Sequence, residues 1–109
     1  MDLWNELEAK LRQLGEAVKR LLQTGTDWAN AECEYKIALA KESLKLKDEG
    51  MPSTLINLVV YGQHDVAMAR CKRDIAEVTY KVNQELINQC KIEARILESQ
   101  LNREWSVRE

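Results

Sequence analysis

The sequence predicts an all-α protein: a long antiparallel helical hairpin with a short helix at the turn, assembling into a four-helix-bundle-like oligomer. Three observations predict it. Two long, charge-rich segments carry apolar residues at helical spacing. The only proline and two of the four glycines fall together between them, in the stretch from Gly50 to Asp65. Both long segments also carry apolar residues on a second face, which a lone two-helix hairpin would leave in water. The 109 residues make one domain by length. Its helices are expected over about 2–48 and 65–105, with the turn and its short helix over 50–64. Charged residues are 31% and hydrophobic residues 45%, and Phe is absent. That balance fits a helix-rich soluble chain better than a turn-rich sheet protein.

The first segment follows steps of three and four through Trp4, Leu7, Leu11, Leu14, Val18, Leu21, Gly25, Trp28, Glu32, Tyr35, Leu39, Glu42 and Leu46. Only Gly25, Glu32 and Glu42 break the apolar series, and the heptad phase passes through Gly25 without a slip. A loop has no reason to keep that phase, so one helix is expected, bent at most at Gly25. Cys33, Ile37, Ala40 and Leu44 form a second apolar line in its C-terminal half.

Gly50 suits the left-handed end of this helix, and Pro52 prevents continuation. Ser53 is expected to cap a short helix reaching Val60, with Leu55, Ile56, Leu58, Val59 and Val60 folding back as a lid. Asp65 is expected to cap the last helix. That helix carries the stripe Ile75, Val78, Val82, Leu86, Cys90, Ala94, Leu97, Leu101 and Trp105. Its steps average about 3.75 residues, against 3.5 for the first segment and 3.6 for an ideal helix. The stripes should therefore drift in opposite senses, which calls for further helices, as do Ile87, Ile92 and Ile96 beside the stripe.

Antiparallel pairing about the turn puts residues level when their numbers add to roughly 110. Trp4 then faces Trp105, Glu42 faces Arg70 and Arg73, and Glu32 faces Tyr80 and Lys81. The expected hairpin core is Trp4, Leu11, Leu21, Trp28, Tyr35, Leu39, Ile75, Val82, Leu86, Leu97 and Trp105. The expected oligomer interface is Cys33, Ile37, Ala40, Leu44, Ile87, Ile92 and Ile96.

Motifs for chemistry are sparse. His64 is the only histidine and has no second histidine to share a metal with. Glu6 and Lys10, Glu8 and Arg12, Glu16 and Arg20, and Glu77 and Lys81 stand four residues apart, in the order that stabilises solvated helix faces. No phosphate loop or nucleophile elbow is present. No catalytic, cofactor or metal residue is therefore assigned, and an enzyme is not expected. Arg70, Lys72 and Arg73 are the densest basic cluster, but Asp74 and Glu77 follow and the net charge is −2. A helix-turn-helix over Leu44–Val60 would present a recognition segment with no Lys or Arg from Asp48 to Ala69. Nucleic acid is thus a disfavoured partner. Cys33, Cys71 and Cys90 lack CxxC spacing and read as small buried side chains in a reducing cytoplasm. No apolar run approaches the roughly 18 residues of a membrane span, and no secretory signal layout opens the chain.

The runs Tyr35–Lys41, Asp48–Ile56, Arg73–Glu77 and Leu97–Trp105 resemble small uncharacterised proteins of tailed bacteriophages and prophages of Gram-positive bacteria. The resemblance spans about Tyr35 to Trp105 and implies a product made in the bacterial host cytoplasm. It carries no catalytic or binding residue with it. The expected function is a non-enzymatic, oligomerising scaffold, adaptor or assembly factor. Its partner is a second copy in a homodimer or higher even-numbered assembly, or another phage or host protein. The alternative is a nucleic-acid-binding accessory protein of phage DNA metabolism.

Overall fold

The structure, a computed structural model, describes residues 2–108. They form three helices: α1 (Leu3–Asp48), α2 (Ser53–Val59) and α3 (His64–Arg108), with a 3-10 turn at Val60–Gly62. The fold is all-α, with no strand among the described residues.

Helix α1 begins at a conventional cap: the Asn5 backbone N–H donates to Asp2 Oδ1 at 2.8 Å. It runs unbroken through Gly25. It ends where Gly50 turns left-handed at φ 88°. There the Met51 N–H donates to the Leu46 carbonyl at 3.1 Å and the Gly50 N–H to the Lys47 carbonyl at 2.9 Å. This double closure is the Schellman motif, and Met51 packs against the cluster that contains Leu46. Two expected caps move by a residue or two. Pro52, in extended backbone, precedes α2, and no side chain caps that helix. Its carbonyl accepts the Leu55 and Ile56 N–H groups, so Ser53 lies inside the helix. The Gln63 carbonyl likewise accepts the Ala67 N–H at 2.9 Å, which leaves Asp65 in the first turn of α3, where a carboxylate suits the helix dipole.

The chain divides into two compact units, Met1–Gln23 with Tyr80–Glu109, and Thr24–Thr79. In the first, the two helical stretches run antiparallel, as shown by a Lys10–Glu93 ion pair and an Asn83–Ala17 hydrogen bond. Its buried side chains are small or polar: Ala17, Asn83, Cys90 and Ala94, with Ile87 the one large member. In the second, Tyr35, Leu46, Ile56, Val60 and Val66 form a core that Leu39, Met51 and Ala69 border. Ile56 and Val60 thus close the turn as a lid does, whereas Leu55 and Leu58 stay exposed.

The buried positions correct the expected packing. On α1 the seam runs through Leu7, Lys10, Leu14, Ala17, Leu21, Thr24, Trp28, Ala31 and Tyr35. It shares Leu7, Leu14, Leu21, Trp28 and Tyr35 with the expected series. It replaces the other half with positions one residue earlier, so Trp4 and Leu11 are exposed. On α3 it runs through Val66, Ala69, Arg73, Ala76, Tyr80, Asn83, Ile87, Cys90, Ala94 and Leu97. Ile75, Val82 and Trp105, expected inside, are exposed, and Ile87, expected outside, is buried. Leu21, Trp28, Leu39, Leu86 and Leu97 are half-buried. Cys33 and Cys71, expected buried, are exposed, and only Cys90 is buried. The physical reason is size. Alanines at the seam let two helix backbones approach closely, and bulky residues at those points would hold them apart. Both seams keep heptad spacing, so the opposite drifts inferred from the largest apolar side chains do not occur.

Replacing Gly15, exposed in the interior of α1 with open space around its Cβ direction, by Ala should stabilise the protein by about 0.5–1 kcal/mol. Gly50→Ala should cost about 1–2 kcal/mol, because the left-handed backbone alone disfavours a Cβ there. Urea denaturation of the two variants, read by helical circular dichroism, checks both signs.

Candidate interaction surface

Polar side chains mark where each pair of helical stretches is locked. In the unit of Thr24–Thr79, Arg73 projects from the seam of α3. Its guanidinium stands 4.5 Å from the Tyr35 ring centroid. Its Nε lies 3.5 Å from Glu32 Oε2, and its Nη2 donates to Asp74 Oδ1 at 2.8 Å. These contacts, the Asp74 hydrogen bond foremost, raise the Arg73 pKa above its ordinary value. Beside it, Lys72 Nζ donates to Glu34 Oε2 at 2.8 Å. The register therefore differs from the expected one by about one to one and a half turns. Glu32 meets Arg73 rather than Tyr80 and Lys81, and Arg73 reaches Glu32 rather than Glu42. A cation stacked on an aromatic ring and tied to two carboxylates has a specific geometry that an apolar stripe lacks.

In the other unit the lock is Asn83. It is 7% exposed, and its Nδ2 donates to the Ala17 carbonyl at 3.1 Å. A buried amide needs such a partner, and a helix carbonyl beside a residue as small as Ala17 is open enough to supply one. Lys10 pairs with Glu93 nearby. That hydrogen bond raises the Lys10 pKa and is the main cause that lowers that of Glu93, with a further bond from Gln89 Nε2 at 2.8 Å. Trp4 and Trp105 border one shallow groove with Leu3 and Leu101 at the end of this unit.

Of the basic cluster weighed for nucleic acid, Lys72 and Arg73 are engaged by carboxylates of the same chain, while Arg70 is exposed. His64 is exposed at the start of α3. No group of three or more metal-binding side chains occurs among the described residues.

What the structure does assemble is apolar surface. On α1, Cys33, Ile37, Ala40 and Leu44 are all exposed and lie about 160° round the helix from the seam. On α3 of the same unit, Met68, Cys71, Ile75 and Val78 do the same. Ile37 and Ile75 are each 67% exposed. In the other unit Val82, Ile92 and Ile96 continue the outer positions of α3, and Leu22 stands exposed on α1. The α1 line was visible in the sequence. The α3 line is hidden in the sequence, because Ile75, Val78 and Val82 lie on the expected apolar stripe, with Ile75 and Val82 in the expected core; its signal is the heptad spacing of Met68, Ile75 and Val82. Asn83 and Arg73 were missed as seam residues because polarity weighs against burial unless a partner is known.

The chain finds no match among family models, curated proteins or solved structures.

Two measurements test the locks. Asn83→Ala should cost about 1–2 kcal/mol by urea denaturation, the worth of a buried hydrogen bond and its packing. Because the Glu93 pKa is depressed in the folded protein, its contribution is present above the ordinary carboxylate value of 4.5 and lost as pH falls through the folded value. The melting temperature of Glu93→Gln should therefore fall less than that of the unaltered protein between pH 7 and pH 3.

Proposed function

We propose that this protein acts by self-association, as a helical scaffold, adaptor or assembly factor rather than an enzyme, in the phage setting that the sequence resemblance implies. The observation that carries the reading is the set of large apolar side chains on the outer faces of the helices. Ile37, Leu44, Ile75 and Val78 are each at least 60% exposed in one unit, and Leu22 and Val82 match them in the other. Single exposed apolar residues are ordinary, but rows of them at heptad spacing are costly to leave hydrated and mark contact surfaces. A second copy offers the same rows and so supplies a cover of matching chemistry.

Sedimentation equilibrium at micromolar concentration tests this. Species larger than the 12.6 kDa chain are expected. Ile37→Glu combined with Ile75→Glu should shift the population toward monomer while helical circular dichroism is retained, since both positions lie outside the seam. A monomer for the unaltered protein would overturn the proposal.

A further inference from the structure

The two outer rows of the unit Thr24–Thr79 differ in a way that selects how copies meet. This rests on the self-association reading and goes beyond it. We infer that the outer face of α1 in one copy packs antiparallel on the outer face of α3 in the next, a head-to-tail contact between copies.

Charge carries the choice. Place Cys33 level with Ile75 of the neighbour, Ile37 with Cys71 and Ala40 with Met68. Each of these three layers pairs a large side chain with a small one, the condition for interdigitated packing, and the end residues Leu44 and Val78 fall level with His64 and Asn30. The flanking positions follow from that register without further choice. Glu34 falls beside Lys72 of the neighbour, Lys36 beside Asp74, and Lys41 beside Asp65. All three pairs have opposite signs, and all six residues are exposed. Sliding by one heptad in one direction sets Lys41 against Lys72 and Lys36 against Lys81. Sliding the other way sets Glu34 against Asp65. Two copies of the α1 face packed antiparallel gain Glu34–Lys41 pairs but oppose Asp27 to Asp48. Two copies of the α3 face oppose Lys72 to Lys72 and Asp74 to Asp74. A parallel α1–α3 contact stacks Cys33 on Cys71 and makes two complementary pairs, Lys41 with Asp74 and Asp48 with Lys81. Only the antiparallel α1–α3 register gives three complementary pairs and no like-charge pair. The contact has a natural limit as well. The outer positions of α1 before Cys33 are polar, at Asn30, Thr26, Gln23 and Lys19.

The two faces point away from each other, because each lies opposite the seam of its own helix. A chain therefore receives one neighbour on α1 and another on α3. Such a contact repeats into a ring or a filament and does not stop at a pair. Within the unit, Glu34 already pairs with Lys72 of its own chain. In the contact between copies that carboxylate is shared with the neighbour's Lys72.

The natural cysteines make the test direct. In Cys71→Ser/Ile75→Cys, the thiol of Cys33 lies level with the new thiol at position 75 of the next copy. Mild oxidation should give a ladder of covalent dimers, trimers and larger species on a non-reducing gel. A product stopping at dimer in Cys71→Ser/Leu44→Cys would instead show a two-fold α1–α1 contact and overturn the inference. Efficient Cys33–Cys71 bridging between copies of the unaltered protein would show the parallel contact and overturn it too. An oligomer by sedimentation that gives no ladder also sinks it while leaving self-association standing, whereas a monomer sinks both. As a second readout, Lys41→Glu should weaken association about fivefold, and adding Asp65→Lys should restore it, since neither residue belongs to the Arg73 lock.

Discussion

Each long helix of this protein has two apolar faces, and the fold depends on which of them is turned inward. Size and polar pairing decide. Ala17 and Ala31 let the partner stretch come close, and Asn83 and Arg73 each find a partner across the seam. A bare carbonyl accepts the Asn83 amide, and Tyr35 with Glu32 receives the Arg73 guanidinium. Burying the Asn83 amide without a partner would cost about 1–3 kcal/mol, comparable to what burying a leucine gains, so polar residues help to set the register and apolar ones fill the space it leaves.

The consequence is an unusual surface. The row with Ile37 on α1 faces water, and so do Ile92 and Ile96 on α3, as the second apolar faces require; the choice of seam adds Ile75 and Val78, which join Met68 and Cys71 in a further outward row. The rows are spaced as a second seam is spaced, and charges flank them in the unit Thr24–Thr79. A chain with one satisfied seam and one open seam on the same helix presents surface suited to a second contact, and the proposed joining of copies rests on that open seam and the charges beside it.

Much of this was legible from residue order. The all-α class, the single continuous first helix, the turn at Gly50–Pro52 and the lid formed by Ile56 and Val60 follow from periodicity and turn chemistry. So does the outer row Cys33, Ile37, Ala40 and Leu44. Legibility ended at the choice between Trp4, Leu11 and Ile75 on one side and Ala17, Ala31 and Asn83 on the other. Hydrophobicity ranks the first set as core. Close approach of helices favours the second, and nothing local to one helix reports how near its partner will come.

Residue order by itself determined what a single helix can express: where α1 and α3 run, how α1 stops with Gly50 at φ 88°, and the presence of two apolar faces. These depend on backbone preference and on contacts a few residues apart. Only the tertiary structure decided that Asn83 and Arg73 lie in the seams, that Glu32 meets Arg73, and that Ile75 and Val82 face outward. Those outcomes compare burial and pairing energies across two helices at once, and that comparison exists only when the helices are side by side.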